Sequence, residues 1–187
     1  MRKIANVHLK NKYIKEYSLE EHLSPGILEA LDLQVFDVGE FIYHQDDEPH
    51  TFYILVAGKL QIDYLHPNGT QTIFSLAEPL AALGDVELFE SFPAVRNVFV
   101  LETSTLLAAS SETIPNAGAE DYRFLRFILH QIVRKLDFSS IRLTQSIFPL
   151  KSRLARYLLI KMNSQGLALE LEKRDVLAGM LGTSGDI

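Results

Sequence analysis

The 187-residue sequence contains no cysteine. It therefore has no disulfide scaffold, thiolate zinc site, iron–sulfur cluster or cysteine nucleophile. No uninterrupted apolar run approaches the ~18–20 residues that a membrane span needs, and the start MRKIANVHLKNKYIKEY lacks the apolar core of a signal peptide. With 47% hydrophobic residues, the chain is expected to be a folded, cytoplasmic protein.

Basic residues are scarce in the first part of the chain. Residues 1–117 hold 7 Lys/Arg and 17 Asp/Glu, a formal net charge of −10, whereas residues 118–187 hold 11 and 7, a net charge of +4. Opposite charges indicate different partners, and the basic part is the candidate for binding a polyanion such as nucleic acid. A solvated basic helix face is the alternative.

The region from Val35 to about Ser111 has the pattern of antiparallel β-structure. Short runs rich in β-branched and aromatic residues are separated by glycine and proline, and Asn68-Gly69 has the composition of a hairpin tip. The runs are 41–43, 52–56, 60–64, 72–74 and 98–101. Strands this short and this regularly spaced predict a barrel, roll or sandwich.

After Ala117 the apolar residues recur at helical spacing. They form a seam of about six turns without glycine or proline, until Pro149 ends or bends the helix. The seam residues are Leu125, Leu129, Ile132, Leu136, Leu143 and Ile147. The length of this helix favours pairing with the same helix of a second subunit, and packing on the chain's own β-domain is the alternative.

The segment 172–184 has, in order, the residue types that a helix-turn-helix needs. Ala178 is small enough for a close helix crossing, Gly182 suits a tight turn that commonly requires positive φ, and Ser184 suits the N-cap of a second helix. Similar corners occur in ordinary α-proteins, but the preceding basic helices favour DNA binding. Because so little of the second helix precedes Ile187, we expect a fragment whose base-reading residues lie beyond it.

An acidic β-roll, a long dimer-type helix and a C-terminal helix-turn-helix together resemble the Crp/Fnr superfamily of bacterial transcription regulators. Residues 38–45 and 52–60 are similar to two strands of its β-roll, and 83–90 with 96–98 is similar to the segment that binds a cyclic nucleotide phosphate in some members. The resemblance implies an α+β fold. Its parts are an antiparallel β-roll (double-stranded β-helix or jelly roll) sensory domain at 1–117, a dimerisation helix at 118–148, and the N-terminal part of a winged helix-turn-helix domain at 149–187.

The corresponding effector pocket departs from the nucleotide-binding pattern. Arg96 supplies a charge for a phosphate, but Asp85, after Gly84, stands where the nucleotide binders have Glu, Glu87 where they have Gly, and Asn97 where they have a small hydroxyl residue. At ~4 Å, two like charges cost about 1 kcal/mol in water and about 4 kcal/mol at a surface-like dielectric. We therefore expect an Asp85–Arg96 ion pair rather than a cyclic AMP site. These departures resemble the PrfA-type and YeiL-type members, which do not use cyclic AMP, and the effector is unknown.

Three histidines raise an alternative, a cupin-like metal enzyme with a helical appendage. His44, His50 and His66 lie among predicted strands and acidic residues. Metal ligation requires side chains that converge from adjacent strands, but there is no His-x-His pair, so a solvated loop is favoured and no metal ligand is assigned. The sequence also lacks a Gly-rich phosphate loop and a Gly-x-Ser-x-Gly elbow, and it predicts no enzyme.

The regulator interpretation assigns partners. Double-stranded DNA and a second copy of the chain are expected, and the resemblance adds RNA polymerase and a small-molecule effector. The candidate phosphate contacts position the protein without specifying sequence, and two of them begin the reading helix. They are Arg153, Arg156, Lys173, Arg174, Thr183 and Ser184.

Overall fold

The computed structural model describes residues 1–87, 92–114, 121–165 and 168–182, without the side chains at 138, 141–146 and 164–165. Helices α1 (Val7–Glu16) and α2 (Pro25–Ala30) flank a 3-10 turn at Leu19–Glu21. The strands are β1 (Arg2–Lys3), β2 (Asp32–Phe36), β3 (Phe41–Tyr43), β4 (Thr51–Leu65), β5 (Gln71–Ala77), β6 (Ala81–Leu83) and β7 (Asn97–Ser110). The later helices are α3 (Tyr122–Ser146), α4 (Leu150–Gln165) and α5 (Arg174–Leu181).

The strands form the antiparallel β-roll that the sequence predicts. Their order is β1-β2-β7-β4-β5, while β3 pairs with β7 and β6 pairs with β4. The β4–β5 hairpin turns at Asn68-Gly69, where the His66 amide donates to the Thr70 carbonyl over 2.8 Å and Gly69 has φ of +83°. The predicted hairpin tip is therefore confirmed.

Gly58 lies between two of the predicted strand runs, and the turn that the sequence predicts there is not formed. The runs 52–56 and 60–64 are expected to be two strands with a turn between them, but both belong to the single strand β4. Gly58 has φ of +94°, and the pairing register with β7 shifts on either side of it. A Cβ at this position would lie 2.6 Å from Ser104 Cα, so the glycine permits a bulge rather than a turn.

Strand β4 is buried on both faces because alternate side chains enter two different cores. Phe52 and Ile54 pack with the N-terminal helices and α3, whereas Tyr53 and Leu55 point into the interior of the roll. The first core joins the sheet to α3 through Phe124, Phe127 and Ile128. This packing fixes the start of α3 against the β-roll.

The N-terminus of α3 is capped by Asp121. Its carboxylate accepts hydrogen bonds from the Ser24 amide at 2.9 Å and the Arg123 amide at 3.0 Å. Burial on its own would raise the pKa of Asp121, but these bonds outweigh burial and lower the pKa below its usual value. The cap therefore remains ionised at neutral pH and ties α2 to α3.

Helix α3 has two apolar faces, and the structure shows what covers one of them. One face packs on the sheet. The other is exposed, with Leu129 and Leu136 each 61% exposed. Ile132, which the sequence assigns to the seam, is partly buried against the first core instead. Val133 is the exposed residue between the two leucines, and the side chain of Leu143 lies outside the described set.

Helix α5 ends as the sequence predicts. Gly182 has φ of +67°, and its amide donates to the Gly179 carbonyl over 3.2 Å. Ala178 is 3% exposed, in keeping with a close helix crossing. Thr183 and Ser184 lie outside the described residues. None of the helices in the described ranges is long and apolar enough to cross a membrane.

Candidate functional site: the cavity between the β-roll and α3

A cavity of about 320 Å³ lies where β5, β6 and the segment after β6 face α3. Its lining includes four of the predicted effector-pocket residues, which come from positions as far apart as 84 and 96. They are Gly84, Asp85, Glu87 and Arg96. Lys135 of α3 lines the same cavity, so the roll and the long helix enclose one site.

Asp85 is paired with Lys135. The Lys135 ammonium donates to Asp85 Oδ1 over 2.5 Å and to the Ala82 carbonyl over 2.9 Å. The expected pair between Asp85 and Arg96 is therefore wrong, because a cation from α3, outside the local motif, takes this place. Asp85 is only 1% exposed, and its second oxygen, Oδ2, is buried without a hydrogen-bond partner. A buried acceptor without a hydrogen bond therefore lies beside the cavity.

Arg96 lies over an aromatic ring. Its guanidinium carbon is 4.1 Å from the centre of the Phe74 ring, a cation–π contact. The ion pairs among the described residues do not include Arg96. Its charge is therefore held at the cavity by packing and remains available to an anion.

Gly84 is required by a close approach. It has φ of +76°, and a Cβ there would lie 2.8 Å from the Tyr43 hydroxyl and 3.0 Å from the Thr51 carbonyl oxygen. The Tyr43 hydroxyl donates to that carbonyl. Burial has the largest effect and raises the pKa of Tyr43 well above its ordinary value, and the nearby Tyr53, Glu87 and Asp85 raise it further. Both acids of the pocket therefore act on the same buried hydroxyl, which remains protonated.

Asn97 faces away from the cavity. The side-chain nitrogen of Asn97 donates to Asp63 Oδ1 over 2.9 Å, and its side-chain oxygen accepts from the backbone amide of Gln45 over 2.8 Å. Asp63 is completely buried and also accepts from Gln61 over 3.0 Å. The structure thus places Asn97 in a network that joins β4, β7 and the loop after β3, and not beside Arg96 in the cavity lining.

The candidate DNA-contacting residues separate into two groups. Arg156, Lys173 and Arg174 are exposed. Arg153 is partly buried, its Nε has no hydrogen-bond partner, and its Nη1 would lie 3.2 Å from a Cβ at Gly182. Arg153 therefore packs where α4 meets α5, so its charge lies within the unit that these two helices form.

Two of the three histidines have structural contacts in the β-roll. His44 stacks on Phe41 with 4.3 Å between ring centres, and His66 Nε2 is 2.8 Å from Thr72 Oγ1. Within the described ranges there is no group of three or more His, Cys, Asp or Glu side chains that could hold a metal ion. These contacts account for His44 and His66 as structural residues.

Sequence reasoning missed two residues of functional interest. Lys135 lies on the inward face of α3, but because it is polar it does not belong to the apolar pattern that the sequence shows. Val133 could have been found, because Tyr122, Leu125, Leu129, Val133 and Leu136 repeat at steps of three and four.

Comparison with known proteins agrees with this architecture. Residues 33–121 match the family model of the cyclic nucleotide-binding domain. The chain is similar to the c-di-GMP-responsive global regulator CLP of Xanthomonas campestris, with 17% identity and a TM-score of 0.77, over 86% of this chain and 84% of that one. It is also similar to a CooA mutant of Carboxydothermus hydrogenoformans, with 17% identity and a TM-score of 0.72, over 98% and 81%.

A third similar structure is a transcriptional regulator of Thermotoga maritima, with 26% identity and a TM-score of 0.55, over 63% of this chain and 92% of that one. No curated protein sequence matches the chain. The match covers the β-roll from β2 to β7. The predicted resemblance is confirmed at the level of the fold: the chain has the fold of these solved regulators, with α3 and the α4–α5 unit after the β-roll.

Proposed function

We propose that this chain is a DNA-binding transcription regulator of the Crp/Fnr type that acts in the cytoplasm as a homodimer. Residues 1–117 form its sensory domain, 118–148 its dimerisation helix and 149–187 part of its DNA-binding domain. One observation carries this proposal. A β-roll of the cyclic nucleotide-binding type is followed by an exposed apolar seam on α3 and by a helix that ends in a turn at Gly182. The fold of the solved regulators supports it.

The seam supports pairing with a second copy. Leu125, Leu129, Val133 and Leu136 are between 38% and 61% exposed and lie on one face of α3, at steps of four, four and three residues. The opposite face of the helix is already occupied by the sheet. A contiguous apolar stripe on a helix of this length is typical of a coiled-coil interface. We therefore assign the dimer contact to these residues.

DNA binding is assigned to the exposed cations of the α4–α5 unit. Arg156, Lys173 and Arg174 fit phosphate contacts, which determine register on the duplex, whereas base reading belongs to the second helix of the motif. Two such units, related by the dimer axis, fit an operator with two-fold symmetry. RNA polymerase is the expected further partner of a regulator bound in this way.

Salt dependence of DNA binding tests the proposal. Affinity for duplex DNA is expected to fall steeply between about 50 and 200 mM salt, because bound cations displace counterions from the phosphates. The double variant Lys173→Glu/Arg174→Glu should bind more weakly and with a shallower salt slope. Its matched control is Lys12→Glu/Lys15→Glu, which makes the same change of charge on the exposed face of α1. A flat salt dependence, or equal loss in both variants, would contradict the proposal.

The cavity is assigned to a small effector. Arg96 offers a cation and Asp85 Oδ2 an acceptor, while Glu87 adds a second negative charge that opposes a cyclic phosphodiester. Cyclic AMP is therefore not the expected effector. Calorimetry with cyclic AMP and cyclic GMP tests this: no saturable binding is predicted. Micromolar binding that Arg96→Ala abolishes would show that Glu87 does not exclude the phosphate.

A further inference from the structure

The C-terminal unit is attached to the sensory domain by ionic contacts. Glu172, just before α5, has its Oε1 2.8 Å from the Lys59 ammonium on β4 and 3.2 Å from the Lys161 ammonium on α4. The side chains of Glu172 and Lys59 are each 13% exposed, and that of Lys161 is 19% exposed. Glu78 lies 3.1 Å from Lys59 on the other side and is largely exposed. The interaction of Glu172 with Lys59 thus joins segments 113 residues apart.

Helix α5 also packs directly on β5. A Cβ added at Gly179 would lie 2.6 Å from Ile73 Cδ1, so the helix approaches the strand as closely as a glycine allows. Ile73 is 5% exposed. The next residue of the strand, Phe74, lines the cavity under Arg96, and Glu78 lines it as well. The strand that receives α5 is therefore also a wall of the effector cavity.

This arrangement holds a basic unit against an acidic domain. Residues 1–117 carry a formal net charge of −10, and residues 118–187 carry +4. The field of the acidic domain opposes the approach of DNA to cations within about a Debye length, ~8 Å at physiological salt. Contact with β5 also fixes the direction of α5 relative to α3. The acidic field opposes the approach of DNA, and the fixed direction restricts how two such units can fit a two-fold operator.

We propose that Glu172, Lys59 and Lys161 form a latch that docks the α4–α5 unit on β5 in an autoinhibited arrangement, and that opening the latch releases the unit for DNA binding. This inference rests on the proposed function, because the latch regulates DNA binding only if α5 belongs to the DNA-binding unit. Lys59 is a positioning residue in this scheme and contacts no DNA. Its role is to retain Glu172 beside the sheet.

Two latch variants make opposite changes to the net charge. Glu172→Gln removes a negative charge, and Lys59→Met removes a positive one. Without a latch, a lower net charge should weaken DNA binding, whereas release of the unit should strengthen it in both variants. If the open form is about a fifth of the wild-type population, full release raises the apparent affinity about fivefold. The matched controls, Asp137→Asn and Lys12→Met, make the same charge changes at exposed positions outside the latch.

The first readout is the distance between two labels. Because the sequence has no cysteine, Thr103→Cys on β7 and Asp175→Cys on α5, both exposed, provide unique attachment sites. With labelled chain diluted into excess unlabelled chain, so that a dimer carries one labelled pair, spin-label measurements should give one short, narrow distance in the wild-type background and the controls. Both latch variants should give a longer or broader distribution. An unchanged distribution in the latch variants would overturn the docked latch, whatever the outcome of DNA binding.

The second readout is anisotropy of a fluorescent duplex of arbitrary sequence at low salt, with circular dichroism as the check on folding. Both latch variants are expected to bind about five times more tightly than their matched controls. Equal or weaker binding by Lys59→Met than by Lys12→Met would overturn the autoinhibitory role. Absence of DNA binding in every protein would refute the proposed function and the role of the latch with it, while the label distances would still report whether α5 is docked.

Discussion

Lys135 of α3 and Asp85 of the loop after β6 form an ion pair of 2.5 Å at the wall of the cavity. The carboxylate is 2% exposed and the lysine side chain 40% exposed, so the pair joins the interior of the sensory domain to the partly exposed inward face of the long helix. The same ammonium holds the Ala82 carbonyl. The cavity and the candidate dimer helix therefore share a contact that either a ligand or a movement of α3 would disturb.

Removing the lysine should destabilise the protein. Lys135→Met leaves the buried Asp85 carboxylate unpaired and should lower the free energy of unfolding by about 2 kcal/mol, less than the 3–5 kcal/mol of a fully buried pair because Lys135 is partly solvated. Urea denaturation measures the change. Adding Asp85→Asn should recover part of the loss, and Arg134→Met, one residue away and exposed, should change stability by less than about 0.5 kcal/mol. Equal losses for Lys135→Met and Arg134→Met would refute this account of the pair.

Two glycines with similar φ should differ in their tolerance of alanine. Gly58→Ala should cost about 3 kcal/mol, because it combines left-handed backbone strain with a Cβ 2.6 Å from Ser104 Cα. Gly69→Ala should cost about 1 kcal/mol, since φ is +83° there but no atom lies within 4 Å of the added Cβ. Thermal or urea unfolding of the two variants measures the difference. Equal costs would mean that the bulge at Gly58 relaxes easily.

The latch should respond to acid. Burial on its own would raise the pKa of Glu172, but hydrogen bonds from Lys59 and Lys161 outweigh it and hold the pKa below the ordinary value of 4.5. Burial likewise opposes the charge of Lys59, but Glu172 and Glu78 raise its pKa above 10.5. The carboxylate contribution is therefore present above pH 4.5 and lost as pH falls through the folded-state pKa; the lysine contribution is present below pH 10.5 and lost above it.

The stability difference between the wild type and Glu172→Gln measures this dependence. It should be constant between about pH 6 and 9 and should shrink below pH 4.5, where Glu172 begins to take up a proton. Asp137→Asn serves as the control, with no comparable change expected. A difference that grows in acid would mean that folding raises the pKa of Glu172 instead of lowering it.

The exposed seam should be sensitive to charge. Leu129→Glu places two carboxylates against apolar partners in a paired helix and should convert the dimer to a monomer, seen by light scattering as a halving of mass. The control His130→Glu changes the next residue, which is exposed but lies outside the seam, and it should leave the mass unchanged. A mass that Leu129→Glu does not change would place the seam outside the subunit interface.

Local patterns in the sequence predict much of this fold. The β-branched and aromatic runs, the Asn68-Gly69 tip, the long helix and the turn at Gly182 all depend on neighbours within a few residues, and the structure contains a strand, hairpin, helix or turn at each of them. The prediction fails at Gly58 because positive φ serves a bulge as well as a turn, and only the closeness of Ser104 on β7 distinguishes them. It places Ile132 on the wrong face because a period of 3.5 and a period of 3.6 separate only over several turns.

The candidate site is predicted less completely than the fold. Gly84, Asp85, Glu87 and Arg96 lie together as the motif implies, but the partner of Asp85 comes from 50 residues away and is invisible to local spacing. Asn97 shares the motif but not the cavity, because it begins β7 and the next residue of that strand, Val98, faces the cavity instead. Long-range charge pairs such as Lys59 with Glu172 likewise require the tertiary structure.

The mass of the protein bound to duplex DNA, measured by light scattering, tests the central claim most directly. A dimer that presents two α4–α5 units should bind as two chains per duplex, twice the chain mass of 21.1 kDa, and Leu129→Glu should abolish this complex at the same concentration. One chain per duplex, or a Leu129→Glu variant that binds as well as the wild type, would contradict a dimeric DNA-binding regulator.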